Sequence, residues 1–110
     1  MEAIEKKLAN TAEKELFKRT DEVLHYLWDP IGVSDVPEAR DEYHEYLPQI
    51  FMMIKGNKSE EEISSYMYKV QAEEIGIISN KNKISQVVKI LIRWKEVIEE
   101  KNKTQSRLCQ

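Results

Sequence analysis

Residues 28 to 46, WDPIGVSDVPEARDEYHEY, place a helix stop, a rigid turn and a helix start within one short stretch, so any helical fold of this chain must break there. Pro30 pushes Asp29 out of the right-handed helical region and Gly32 permits positive φ, which ends a helix running into Trp28. Asp35 and Glu38 have capping-box spacing and Pro37 suits a first helical turn, which restarts a helix near Val36. Trp28, Asp29, Pro30 and Gly32 therefore read as a structural turn. The acids that follow are the first place to look for a site.

No Pro or Gly precedes Pro30, and Leu16, Val23 and Leu27 lie on one helical stripe with Phe17, Leu24 and Trp28 beside it. A firm helix is expected from Thr11 to Trp28, with residues 1–10 frayed or loosely packed, although Asn10 and Glu13 have the spacing of a separate cap. The second stripe is Ala39, Tyr43, Tyr46, Leu47, Ile50, Met53 and Ile54, ending at Gly56, with Pro48 inside it to kink or split the helix. Ser59 and Glu62 form a second capping box ahead of Ile63, Tyr66, Met67 and Val70, and Gly76 is the expected C-terminal cap. After a polar loop from Ser79 to Lys83 comes the longest stripe, Ile84, Val87, Val88, Leu91, Trp94 and Ile98, widened by Ile90, Ile92 and Val97. A band this broad marks a central helix, or one that also meets a partner. Residues 102–110 read as a polar, mobile tail. The runs YMYKV and VVKILI have strand-like composition, but both sit inside longer segments of helical period. The expected fold class is all-α, a single-domain bundle of about four helices over residues 1–110.

The length of 110 residues fits one domain. The longest apolar run, Ile50 to Ile54, is five residues, far too short for a membrane span. The N-terminus alternates acids and bases with no apolar core, so no secretory signal is read and a cytoplasmic location is expected. Cys109 is the single cysteine, which excludes an internal disulfide and a cysteine-based zinc site. Net charge is only −3, but its distribution is uneven. Asp29, Asp35, Glu38, Asp41, Glu42 and Glu45 face Arg40 alone, a local balance of −5, whereas Lys81 to Arg107 carries eight bases against three acids, a balance of +5. A bipolar molecule of this kind steers charged partners.

Two acid-x-x-His spacings, Glu22 to His25 and Asp41 to His44, resemble elements of di-metal carboxylate bundles. On the helical wheel, however, Glu22 and His25 lie nearly opposite Val23, Asp41 lies almost opposite Ile50, and only Glu74 lies near another stripe. All are therefore expected at the surface. His25 and His44 are of the residue type suited to general-base work, yet no Ser or Cys nucleophile motif accompanies them, and no phosphate loop, HExxH or nucleophile elbow occurs. No catalytic residue, metal site or cofactor is expected. Lys89, Arg93, Lys95, Lys101 and Lys103 beside Trp94 would be the nucleic-acid surface, but a pI near 5.5 argues against a dedicated nucleic-acid binder.

On a helical wheel Glu38, Glu42, Glu45 and Gln49 form a ridge flanking the second stripe, with Asp41 further round. Tyr43 and Tyr46 stand next to it. An exposed tyrosine among carboxylates suits protein contact, because the ring gives area at low entropic cost while the acids steer a basic partner. The competing reading is a merely solvated surface.

The block Trp28, Asp29, Pro30, Ile31, Gly32 and the later Asp41, Glu42, Tyr43 resembles a group of small bacterial helical proteins with a W-D-P-[IF]-G block, a short loop and a D-E-Y helix start. The resemblance runs from about Leu24 to Gly76 and implies a helical fold. By type, such acidic single-domain proteins are also similar to immunity proteins encoded beside polymorphic or contact-dependent bacterial toxins, which plug the toxin's active site. The expected function is thus non-enzymatic, the binding and neutralising of a basic nuclease toxin. The partner-binding residues would be Glu38, Asp41, Glu42, Tyr43, Glu45 and Tyr46, with either tyrosine as the anchor. Two alternatives stand beside it, a homo-oligomeric structural or regulatory module that dimerises through the fourth helix, and a di-metal carboxylate bundle.

Overall fold

Leu16, Phe17, Thr20 and Val23 recur at helical spacing, and α1 (Thr11–Val23) buries all four. A computed structural model describes residues 11–77 and 81–108, with side chains described as far as residue 101. Three further α-helices follow among these residues, α2 (Leu47–Lys55), α3 (Glu60–Lys69) and α4 (Lys81–Leu108). No strand occurs among them, so the all-α bundle is the fold. The central position expected of the last helix holds, because α4 packs against α1, α2 and α3. Its face of Ile84, Val87, Val88, Leu91 and Ile98 is buried, at about 1.5–3 kcal/mol of transfer free energy for each fully buried aliphatic chain.

Where α1 approaches the predicted stop, the helix widens. Residues Leu24–Trp28 form a π turn, closed by the Asp29 N–H on the Leu24 carbonyl at 3.1 Å. The extra residue rotates the side chains that follow. Trp28 becomes wholly buried, His25 turns inward and Leu27 turns out to solvent. The placement of His25 on the surface and Leu27 in the core is corrected accordingly. Asp29 then adopts the left-handed conformation, φ 33°, which ends the helix where Pro30 required.

The second helix is shorter than its apolar stripe. Only Pro37–Ala39 makes a 3₁₀ turn, residues 40–46 are successive turns, and α2 begins at Leu47. Pro48 sits in the first turn of α2, where its missing N–H costs nothing. A helix running through it would drive the proline ring into the His44 carbonyl. Pro48 therefore splits the predicted helix rather than kinking it. Asp35 does not cap, since Val36 occupies the N-cap position with no side-chain bond. Phe17 meets Phe51 edge-on with centroids 5.2 Å apart, which ties α2 to α1.

Ser59 caps α3 as read, its Oγ accepting from the Glu62 N–H at 3.1 Å. A second π turn, Val70–Ile75, follows α3 and ends at Gly76, whose φ of 87° suits glycine. The last helix is longer than its apolar stripe and takes in part of the expected loop. Lys81 to Lys83 begin α4, and the helix continues through Leu108. Residues 1–10 and Cys109 lie outside the described residues.

Candidate functional site

Asp29 organises the turn from its side chain as well as its backbone. Its Oδ1 accepts from the Val33 N–H at 2.8 Å and the Tyr43 hydroxyl at 2.7 Å, and its Oδ2 accepts from the Ser34 N–H at 3.0 Å. Burial pushes the carboxyl pKa up, but the bonds from Tyr43, Val33 and Ser34 together hold it below its ordinary value. The Tyr43 hydroxyl in turn accepts from the Ile31 N–H at 3.2 Å. Trp28 is the floor of the same unit. Its ring lies 5.4 Å from Tyr43 and 6.2 Å from Tyr46, and its indole N–H donates to Gln71 Oε1 at 3.1 Å. One buried bond thus joins the two π turns.

The acidic segment itself is a run of tight turns, with i to i−3 bonds at Ala39, Arg40, Glu42, His44 and Tyr46. Side chains three apart eclipse one another in such a run. Arg40, Tyr43 and Tyr46 form its inner row. The guanidinium of Arg40 makes a two-pronged pair with Asp21 on α1, at 2.9 and 3.0 Å, and His44 Nε2 lies 3.0 Å from Asp21 Oδ1. The bond to Asp21 raises the Arg40 pKa. The single base of the stretch is thereby consumed internally.

Glu38, Asp41, Glu42 and Glu45 point the other way and are exposed. None of them pairs with a base among the described residues. On the helices, by contrast, Glu13, Glu15, Asp21, Glu22, Glu60, Glu62, Glu96 and Glu99 each meet a Lys or Arg at 2.5 to 4.0 Å. Glu74, from the second π turn, joins the acidic face at Tyr46. Hydrogen bonding to Glu45, then burial, then the charges of Glu45 and Glu74 raise the Tyr46 pKa. Burial and the same two carboxylates raise that of Tyr66. These groups therefore share a negative field.

The structure corrects the aromatic part of the reading. Tyr43 and Tyr46 are only 3% and 8% exposed and belong to the core, so neither is an outward anchor. The exposed ring is Tyr26, 55% accessible and lying 5.5 Å from the Arg40 guanidinium carbon, alongside the acidic segment. Leu27, Ile31 and Val36 of the neighbouring chain are also exposed. Tyr26 lies off the apolar stripe on an ordinary helical wheel, and periodicity passes over such a residue because it marks the buried face alone. Periodicity missed Asp21 and Gln71 because polar residues carry no stripe.

The acid-x-x-His pairs do not converge. Glu22 pairs with Arg19, Asp41 is exposed, and His44 faces Asp21. His25 is 3% exposed and packs edge-on against Tyr26, its Nδ1 having no hydrogen-bond partner among the described residues. Among those residues no group of three or more His, Cys, Asp or Glu is placed to hold a metal ion, and no helix is long and apolar enough to cross a membrane. No protein-family model, curated protein or solved structure matches the chain.

Proposed function

We propose that this protein acts by binding rather than by bond-making, presenting a fixed acidic face to a basic protein partner. The role that fits this reading is an immunity protein that covers the basic active-site cleft of a nuclease toxin. Glu38, Asp41, Glu42 and Glu45 would occupy the places of nucleic-acid phosphates. The observation that carries the proposal is the imbalance of pairing, because the segment's only base turns inward to Asp21 while its outward acids meet no base among the described residues. Uncompensated charge on a strutted segment favours fast, salt-sensitive association. Tyr26, in place of Tyr43 or Tyr46, supplies the aromatic contact at the edge of that field.

The test is association kinetics between this protein and a basic nuclease domain offered as the partner. Glu42→Lys with Glu45→Lys should slow association by about tenfold or more at low salt and flatten its salt dependence. An association rate and salt dependence unchanged by the double substitution would exclude this face as the contact.

A further inference from the structure

On the outer side of α4 a groove of about 410 Å³ is lined by Lys89, Ile90, Arg93, Trp94 and Val97. Ile90 and Val97 are 38% and 41% exposed, although their neighbours Leu91 and Ile98 fill the core. The two lie seven residues apart with Trp94 between them, which is the spacing of a helix–helix seam. We infer that this face pairs with the same face of a second copy, in antiparallel register about a two-fold axis between Arg93 and Trp94.

The charges flanking the seam choose the occupant and the direction. Lys89 and Arg93 lie toward the N-terminal end of the face, and Glu96 and Glu100 toward its C-terminal end, where Lys101 is paired with Glu15 of α1. A parallel copy would set like charge beside like. In the antiparallel arrangement Ile90 meets the second copy's Val97, and Arg93 falls two residues, or about 3 Å along the axis, from the second copy's Glu96. Arg93 and Glu96 already bond within one helix at 3.2 Å with both side chains well exposed, so they can exchange partners across the seam at little desolvation cost. The apolar patch is smaller than the ~800 Å² per partner that tight complexes bury, which sets the expected affinity in the micromolar range. This face is separate from the acidic one, so the dimer leaves Glu38 to Glu45 open.

Sedimentation equilibrium from low micromolar to submillimolar concentration should show a reversible monomer–dimer equilibrium. Ile90→Ala and Val97→Ala should each weaken it by about tenfold, since each removes two apolar chains per dimer. Arg93→Glu should weaken it, and Arg93→Glu combined with Glu96→Arg should restore it. Circular dichroism of each variant checks that the fold is kept. A single-chain mass at every concentration overturns the inference, as does a dimer indifferent to these substitutions.

Discussion

Replacing Asp29 by Asn isolates the charge of the residue that holds the turn. Asparagine keeps the shape and tolerates the left-handed backbone that Asp29 adopts at φ 33°. It cannot keep all three hydrogen bonds, because the Val33 and Ser34 N–H groups and the Tyr43 hydroxyl all donate to the carboxylate, and one asparagine terminus is itself a donor. At least one charge-assisted bond is lost, a cost of about 1.5–3 kcal/mol. For a domain of this size that lowers Tm by roughly 6–15 °C. Urea unfolding followed by circular dichroism and tryptophan fluorescence measures the difference directly. The effect also has a pH signature. The folded pKa of Asp29 is depressed, so the stability it contributes is present above the ordinary aspartate value near 4 and is lost as pH falls through the lower folded value. The gap between wild type and Asp29→Asn should therefore close in acid. A gap under about 0.5 kcal/mol at neutral pH would refute the reasoning, since substitutions that disturb nothing fall in that range.

Asp21→Ala should cost about 1–2 kcal/mol in chemical unfolding, because it removes the shared partner of Arg40 and His44, and amide exchange should quicken across residues 38–46. Ser59→Ala should cost about 1 kcal/mol by loss of the α3 cap, again read by urea unfolding. In alkali, burial together with the Asp29 and Glu42 charges raises the Tyr43 pKa, and bonding to Glu45 leads the rise at Tyr46. The unfolded state then ionises first, so stability falls as pH rises past about 10. Ultraviolet titration should find these two phenols ionising together with loss of helix, and ionisation in the intact fold would contradict their placement.

Much of this fold is written in local chemistry that a sequence displays openly. Ser59 and Glu62 announce α3, Gly76 announces the end of the π turn that follows it, and the 3.6-residue spacing from Ile84 to Ile98 announces the core helix. Pro30 and Gly32 locate the turn, although the strongest element there is the Asp29 carboxylate, whose partners Val33, Ser34 and Tyr43 are chosen by the folded geometry. The misplaced side chains share one physical origin. The wheel drawn for residues 11–28 and 36–56 assumes a constant 3.6-residue period, whereas the chain uses a π turn at Leu24–Trp28 and three-residue turns before Pro48. A wider turn buries His25 and exposes Leu27; a tighter one aligns Arg40, Tyr43 and Tyr46 inward. The acids of the site were legible as a charge run, and their exposure follows from the tighter period. Asp21, which fixes the whole segment, is one polar residue among many on α1, and nothing local distinguishes it.

The alternation along residues 38–46 carries a consequence for how such a protein changes over time. The side chains that brace the segment and those that decorate it are largely different residues, and apart from Glu45, which bonds to Tyr46, the decorating acids are exposed and unpaired with any base among the described residues. Positions 38, 41 and 42 can therefore be exchanged while Arg40, Tyr43 and Tyr46 keep the frame, so the charge of this surface can vary without a new architecture.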